Sequence, residues 1–311
     1  MAEVVDFLVG PTASGKTQVG LLVAEASGAE VVSLDSMAVY RGMDIGTAKP
    51  SPEERERVPF HLIDVCEPTE EFSAGDYLRL AATAVAEIRA RGRRVLFVGG
   101  TPMYLKLLLE GVFRGPRADW EFRRALRARA QREGTAALHA ELARVDPEAA
   151  RRLHPNDLRR IERALEVHHL TGRPLSALQR ANQLVVPGPK RLVGLRRARA
   201  DLYRRIDERV ERMWGAGFVE EVRRLAERGF SRSASQALGY REVLRSLAGE
   251  STLAEAREFT QRHTRQFAKR QMTWLRSIEG IRWVEVGPED RPEEVAPRVL
   301  AALGGSQEAE R

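Results

Sequence analysis

Residues 10–17 are the most chemically informative segment of the sequence, because they match the phosphate-binding pattern G-x-x-x-x-G-K-[ST]. Residues 4–9 predict a short buried strand before this segment, and residues 18–26 predict a helix after it. A glycine-rich turn in that setting directs backbone N–H groups and a helix N-terminus at a phosphate chain. Lys16 adds a positive charge, and the Thr17 hydroxyl can hold Mg²⁺. The segment predicts a di- or triphosphate ligand, bound by Gly10, Pro11, Thr12, Ala13, Ser14, Gly15, Lys16 and Thr17.

Two further polar residues follow predicted strands and are expected to lie near this loop. Asp35 comes directly after residues 29–34, and Thr101 follows the strand 93–98 and a pair of glycines. Ligands of parallel sheets bind at the carboxyl ends of the strands, so these residues should meet in one crevice. Asp35 could hold Mg²⁺ indirectly, act as a general base, or cap the next helix. Thr101 could offer its hydroxyl to a ligand, cap a helix, or do both.

The strand at 93–98 lacks the acidic residue that an ordinary ATPase places there. An NTPase uses such a carboxylate to hold its metal ion, whereas this strand leads into Gly99 and Gly100. The missing carboxylate, or its replacement by Asp35 or Asp64, weakens the interpretation as an ATPase. The paired glycines instead permit a close approach of backbone and ligand.

The elements that position these residues alternate between strand and helix over the first hundred residues, with helix 75–91 and strand 60–65 among them. This alternation predicts an α/β fold, a P-loop NTPase-like parallel sheet flanked by helices. Residues 114–180 hold 15 arginines, no lysine and 9 acidic residues, and they show helical patterns at 119–133, 135–145 and 157–170. We therefore predict an all-helical insertion at 116–187 between two parts of the catalytic core, 1–115 and 188–311. A strand at 191–195 and long helices at 200–228 and 253–276 would complete the core.

The composition limits the kinds of partner and compartment. The chain has 311 residues and a net charge of +7, which favours a polyanionic partner. A run of arginines most often forms a solvated helix face, but the clustering of charge in the insertion favours a nucleic-acid surface. The single cysteine, Cys66, suits a reducing cytosol and is expected to be a buried structural thiol. We expect no signal peptide and no membrane span, hence a cytoplasmic protein, and we expect a monomer.

Several segments together resemble the tRNA dimethylallyltransferase family, also called isopentenyl-tRNA transferases. The segments that carry the resemblance are GPTASGKT at 10–17, DSMAVYRGMDIGTAKP at 35–50, FHLID at 60–64, GGTPMYL at 99–105, NDLRRIERALEV at 156–167, LGYRE at 238–242 and TRQFAKRQMTW at 264–274. They span nearly the whole chain, and the block at 35–50 is highly specific.

The resemblance implies transfer of a dimethylallyl group from dimethylallyl diphosphate to N6 of the adenosine on the 3′ side of the anticodon. The substrates would be tRNAs that read codons beginning with U, gripped at the anticodon stem-loop by the insertion. The phosphate-binding loop and Mg²⁺ on Thr17 would then hold a leaving diphosphate, Asp35 would be the general base, and Thr101 would lie beside the reacting groups. Carried over by position, the tRNA contacts are Asp35, Ser36, Met37, Ala38, Thr101, Arg123, Arg159, Arg160, Ile161, Glu162, Arg163, Gln236, Gly239, Tyr240 and Arg241.

The sequence departs from the family pattern at two of these positions. Many members carry glutamine where Ala38 stands, and members often carry a basic residue near Gln236. Two other classes of function compete with the transferase. A small-molecule or nucleotide kinase would share the loop, bind ATP as its nucleotide and turn it over. An ATP-switched or non-catalytic RNA-binding protein would share the charge. Neither alternative accounts for the whole block at 35–50.

Overall fold

Six parallel strands form the sheet on which the site is built. The computed structural model describes residues 3–112, 115–180 and 182–304. The strands are β1 Val5–Val9, β2 Ala29–Leu34, β3 Phe60–His61, β4 Arg94–Gly99, β5 Lys190–Arg197 and β6 Ile281–Val286, in the spatial order β3-β2-β4-β1-β5-β6. All residues of β1 and β2 are buried, as expected for strands whose two faces are both covered by helices. The prediction of an α/β fold with a parallel sheet is confirmed.

Helices connect and cover these strands. They are α1 Lys16–Ser27, α2 Pro52–Arg57, α3 Ala74–Ala90, α4 Pro102–Glu110, α5 Trp120–Glu133, α6 Thr135–Val145, α7 Pro147–Arg152, α8 Leu158–Thr171, α9 Leu175–Gln179, α10 Arg199–Gly215, α11 Phe218–Arg228, α12 Tyr240–Leu247, α13 Leu253–Arg276 and α14 Pro292–Gly304. In the described ranges, none of them combines the length and apolar composition that crossing a membrane requires.

The chain divides into two units, residues 1–106 with 186–311, and residues 107–185. The sequence placed the helical insertion at 116–187. In the first unit, α1 and α14 pack with the sheet around Leu8, Leu96 and Val299. The described residues of the second unit are mainly helical, and its own core contains Leu138, Leu142 and Ile161.

Two elements of the first unit differ from expectation. The strand expected over 60–65 ends after His61, because Leu62 and Asp64 adopt φ angles of 62° and 57°, which no strand accommodates. The edge strand β6 was not anticipated.

Candidate active site

The phosphate-binding loop lies between β1 and α1 in a conformation that leaves amides available. Ala13 and Gly15 have φ angles of 63° and 93°, so the chain folds back tightly before the helix begins. Ser14 donates its N–H to the carbonyl of Pro11 at 3.3 Å. Within the described residues, no protein group accepts the N–H groups of residues 15–18. Unpaired amides at a helix N-terminus form a ready site for an anion.

Lys16 is the cation of this loop, and its surroundings lower its pKa. Its Nζ donates to the carbonyl of Pro11 at 3.2 Å. Desolvation lowers the pKa of Lys16 to about 8, although the nearby carboxylate of Asp35 acts in the opposite direction, and Arg209 lowers the pKa further. The loop is thus prepared for a ligand whose negative charge would favour the ammonium form.

Three arginines that the sequence analysis did not single out hold the loop from the side of β5 and α10. Arg197 donates to the carbonyl of Ser14 at 3.0 Å, and Arg205 donates to the carbonyl of Ala13 at 3.1 Å. Arg209 donates to the Thr12 hydroxyl at 3.0 Å. Burial lowers the pKa of Arg209. The signal in the sequence was the four-residue spacing of Arg205 and Arg209, which places both on one face of a helix.

Asp35 fills one of the roles that the sequence left open, that of a cap, and it also lies where the other two would be possible. Its Oδ1 accepts the N–H groups of Met37 at 2.8 Å and of Ala38 at 3.3 Å, so the carboxylate does cap the turn that follows β2. The same side chain lines the cavity above the loop. Asp35 is therefore held in a fixed orientation by the backbone while it faces the space where a ligand would lie.

Thr101 lies at the end of β4 beside the segment of Asp35. Its Oγ1 accepts the N–H of Ser36 at 3.2 Å, and its carbonyl accepts the N–H of Leu105 in the first turn of α4. The two preceding glycines allow this approach, since a Cβ on Gly99 would lie 2.2 Å from the carbonyl oxygen of Leu34. The glycine pair thus serves close contact between backbone segments.

The cavity that these residues share has a volume of about 800 Å³. One side is lined by Thr12, Ala13, Gly15, Lys16 and Thr17, while Gly10, Pro11 and Ser14 are buried beneath them. Basic side chains outnumber acidic ones in the lining, which includes Lys16, Lys49, Arg205, Arg209, Arg212, Arg241 and Arg270 against Asp35 and Glu208. Apolar lining is supplied by Met37, Ile45, Ile63, Met213, Leu238 and Phe267. A cavity of this kind suits a small ligand with an anionic end and an apolar end.

The loop at 43–49 is held against the cavity by a buried carboxylate. Glu221 accepts the N–H groups of Asp44, Ile45 and Gly46 at 3.0, 2.8 and 3.3 Å. It also accepts the Tyr240 hydroxyl at 2.5 Å. Tyr240 has no exposed surface and packs edge-on against Phe218, so it supports this loop at the lining of the cavity, and its contact with tRNA stays a prediction.

The neighbours of Tyr240 divide between the interior and the surface. Gly239 is buried at a φ angle of 87°, where a glycine is favoured. Gln236 is exposed and lines the cavity, as does Arg241. The guanidinium of Arg241 is bound to the buried carboxylate of Glu242 at 2.5 Å. Gln236, Leu238 and Arg241 thus remain the residues of this segment that line the cavity and have exposed surface.

Asp64 does not replace the missing acidic residue of β4. Lys49 and Arg55 each donate to its carboxylate at 2.6 Å. Burial acts to raise the pKa of Asp64, but these hydrogen bonds outweigh it and lower the pKa. Cys66 is buried, as expected of a structural thiol, and burial together with nearby Glu70 raises its pKa to about 11.

The arginines of the helical unit are not equivalent. Arg123 forms a two-pronged ion pair with the buried carboxylate of Glu166 at 2.7 and 2.8 Å, and Arg163 reaches the same carboxylate at 2.5 Å. Arg159 and Arg160 are exposed. The interior contains the carboxylates of Glu162 and Glu166, which bind arginines, and the apolar side chain of Ile161.

This arrangement corrects part of the predicted nucleic-acid surface. Ile161 has no exposed surface and Glu162 is 2% exposed, so neither can contact a partner on the surface of the unit. Arg123 and Arg163 stabilise the unit through Glu166, whereas Arg159 and Arg160 are oriented toward solvent. The sequence pattern could not separate these cases because all of them lie on helices rich in arginine.

The described part of the chain offers few side-chain groups that could hold a magnesium ion. Among the described residues, no group of three or more His, Cys, Asp or Glu side chains could hold a metal ion. Thr17 and Asp35 line the same cavity. Mg²⁺ at nucleotide sites is commonly bound by one or two protein oxygens together with ligand phosphates and water, and this donor set fits that pattern.

The parallel sheet, the phosphate-binding loop and the cationic cavity define a P-loop protein that carries a helical insertion. A family model described as IPP transferase matches residues 38–278. The chain is 53% identical over 279 residues to a tRNA dimethylallyltransferase of Geobacter sulfurreducens, covering 89% of this chain and 90% of the relative. It is 50% identical to one of Symbiobacterium thermophilum, covering 91% and 90%. The chain belongs to the IPP transferase family.

Solved structures agree with this assignment. The structure of a tRNA isopentenylpyrophosphate transferase from Bacillus halodurans is similar with a TM-score of 0.70 and 39% identity, covering 97% of each chain. A eukaryotic dimethylallyltransferase acting on tRNA gives a TM-score of 0.79 at 27% identity, covering 96% of this chain and 78% of that one. Both sequence and architecture therefore match this family over nearly the full length.

Proposed function

We propose that this protein transfers a dimethylallyl group from dimethylallyl diphosphate to N6 of the adenosine 3′-adjacent to the anticodon, in tRNAs that read codons beginning with U. The observation that carries the proposal is that the anion-binding loop and the carboxylate of Asp35 line one cavity of about 800 Å³. An anion site and a base facing one space suit a substitution in which an anionic group leaves as a nucleophile loses its proton. The names of the relatives supply the dimethylallyl group and the tRNA, and the anion-binding loop supports diphosphate as the carrier of that group.

In the proposed reaction the leaving group is diphosphate and the nucleophile is an exocyclic amine. The C–O bond between the dimethylallyl carbon and diphosphate breaks with its electron pair, and a C–N bond forms to N6. The free amides of residues 15–18 and the charge of Lys16 would stabilise the negative charge that develops on diphosphate. Arg205 and Arg209 would keep the loop in shape and add to the positive potential.

The proton released from N6 requires an acceptor within hydrogen-bond reach. Asp35 is oriented by two backbone N–H groups through Oδ1 alone, which leaves Oδ2 to accept this proton. Thr101 lies next to the same turn and would help to orient the amine. The adenosine must leave its base stack to enter such a cavity, and the apolar lining would receive the dimethylallyl group.

We further propose that Mg²⁺ accompanies the diphosphate. Thr17 and Asp35, which line the same cavity, would hold the ion, and the ion would supply positive charge that neutralises the leaving diphosphate. The exposed Arg159 and Arg160 would meet phosphates of the anticodon stem-loop. A monomeric, cytoplasmic enzyme remains a prediction, and so does the weak binding of ATP to the loop.

The test is to offer dimethylallyl diphosphate, labelled in the dimethylallyl group, and unmodified tRNA, with and without ATP. We expect one label per tRNA on the adenosine 3′ to the anticodon, with one diphosphate released per label and no requirement for ATP. Label in tRNA only during ATP hydrolysis, or phosphoryl transfer from ATP without prenylation, would refute the proposal and favour the kinase. Tight tRNA binding without any transfer would favour the RNA-binding alternative.

A further inference from the structure

Gln271 on α13 is a buried polar side chain that the site described above does not use. Only 4% of its surface is exposed, and its carboxamide lies between two loops of the active site. Its Oε1 accepts the N–H of Thr12 in the phosphate-binding loop at 2.9 Å. Its Nε2 donates to the carbonyl of Gly100, just after β4, at 2.5 Å.

The two loops that Gln271 joins are in direct contact. A Cβ on Gly100 would lie 2.6 Å from the carbonyl oxygen of Gly10 and 2.8 Å from the Nε2 of Gln271. It would also lie 3.4 Å from the Cε of Lys16. The loop that binds the anion and the loop that follows β4 therefore touch through backbone, with the carboxamide bridging them.

The connection continues from Gly100 to the carboxylate that faces the anion site. Thr101 is the next residue, and its hydroxyl accepts the N–H of Ser36, the residue after Asp35. A chain of contacts thus runs from Thr12 through Gln271 and Thr101 to Asp35. This chain of contacts relates the position of the phosphate-binding loop to the position of the Asp35 carboxylate.

Glutamine is the side chain that the two loops require. The backbone presents one donor and one acceptor, so the bridging group must accept at one end and donate at the other. Methionine has a similar length and offers neither hydrogen bond, and asparagine is one methylene shorter. The helix that carries Gln271 is itself fixed, since Ala268 packs with Leu202 and Ile206 of α10 beneath Ala13.

We propose that Gln271 is a positioning residue that sets the distance between the phosphate-binding loop and Asp35. The inference rests on the proposed function, because it concerns the geometry of the transfer step. Loss of the bridge would let the two loops separate, while each loop keeps its own groups. A displacement of about 1 Å between reacting groups can cost about 10²-fold in rate. The transfer step should therefore suffer more than the binding of either substrate.

The variant Gln271→Met tests this, with Gln266→Met as the matched control at an exposed position of the same helix. Three quantities are measured: the single-turnover rate of dimethylallyl transfer at saturating substrates, the affinity for inorganic pyrophosphate by calorimetry, and the melting temperature. We expect Gln271→Met to lower the single-turnover rate by about ten- to a hundredfold, with pyrophosphate affinity within about threefold of wild type. Gln266→Met should match wild type in all three.

A second variant keeps the test decisive if Gln271→Met folds poorly. Gln271→Asn keeps the carboxamide but can reach only one of the two loops, so it should give an intermediate loss of rate with an unchanged KM for dimethylallyl diphosphate. The inference is overturned if both variants transfer at the wild-type rate, or if rate and pyrophosphate affinity fall by the same factor. Failure of wild type itself to prenylate tRNA would instead overturn the proposed function, and the inference with it.

Discussion

Raising the pH from 7 to 9 is expected to weaken the binding of inorganic pyrophosphate through the loss of the proton on Lys16. The pKa of Lys16 in the free protein is about 8, so the ammonium loses most of its charge over this range. A diphosphate on the loop would favour the ammonium form and return the pKa toward its ordinary value of 10.5. Above pH 8 binding must therefore take up a proton, and the contribution of Lys16 to affinity falls about tenfold by pH 9.

The same pKa shift predicts a dependence of stability on pH. In the unfolded chain Lys16 keeps its proton up to its ordinary pKa of 10.5, whereas the folded protein releases it near pH 8. The unfolded state therefore binds more protons between these values, and the free energy of unfolding rises with pH across that window. Below pH 8 the charged Lys16 costs the folded protein about 3 kcal/mol, a cost that a diphosphate on the loop would offset.

The assay is calorimetric titration with pyrophosphate at pH 7, 8 and 9, at constant ionic strength, with wild type, Lys16→Met and Lys16→Arg. Dividing the wild-type affinity by that of Lys16→Met removes the titration of pyrophosphate itself. We expect this ratio to fall about tenfold between pH 7 and 9. The corresponding ratio for Lys16→Arg should stay constant, because arginine keeps its charge. A wild-type ratio that does not change with pH would refute the reasoning.

Three further predictions concern charge and shape. Arg209→Met should weaken pyrophosphate binding by roughly ten- to a hundredfold in calorimetry, since a charge-assisted hydrogen bond is lost; unchanged affinity would contradict this. Arg159→Gln should reduce the slope of log tRNA affinity against log salt concentration by about one, without changing the melting temperature. Arg163→Gln should instead lower the melting temperature, because Glu166 loses a partner. Equal melting temperatures in these two variants would contradict the assignment. Ala38→Gln should leave pyrophosphate affinity unchanged. It should change the discrimination among anticodon-loop variants, measured as ratios of kcat/KM, by the equivalent of about 1–3 kcal/mol. Identical ratios in wild type and Ala38→Gln would show that this position does not take part in tRNA recognition.

The sequence was sufficient to predict the bounds of those strands and helices whose ends are marked by residues of the element itself. Strand β2 and helices α6 and α13 have the bounds that the sequence predicted. Helix α13 begins at a capping box between Thr252 and Glu255, and such caps are visible in the sequence. Strand β3 was overestimated because the positive φ angle at Asp64 accompanies hydrogen bonds from Lys49 and Arg55. Those contacts are tertiary, and periodicity does not report them.

The residues of the candidate site also fall into those that the sequence predicted and those that only the structure showed. The loop at 10–17, Asp35 and Thr101 could be named because each follows a strand, and parallel strands bring their carboxyl ends together. Gln271 could not, and the spacing of Arg205 and Arg209 indicates a shared helix face but not which loop that face meets. All three reach the loop from helices that lie almost 200 or more residues away. Their contribution depends on how α10 and α13 pack against the sheet.

The most direct test of the account is the single-turnover rate of Asp35→Asn. Asparagine keeps an oxygen that can accept the N–H groups of Met37 and Ala38, so the turn is preserved while the base is lost. We expect the rate of dimethylallyl transfer at saturating substrates to fall by about 10²–10⁴-fold, with tRNA affinity and melting temperature close to wild type. A transfer rate near that of wild type would show that Asp35 only caps the turn, and would contradict the mechanism.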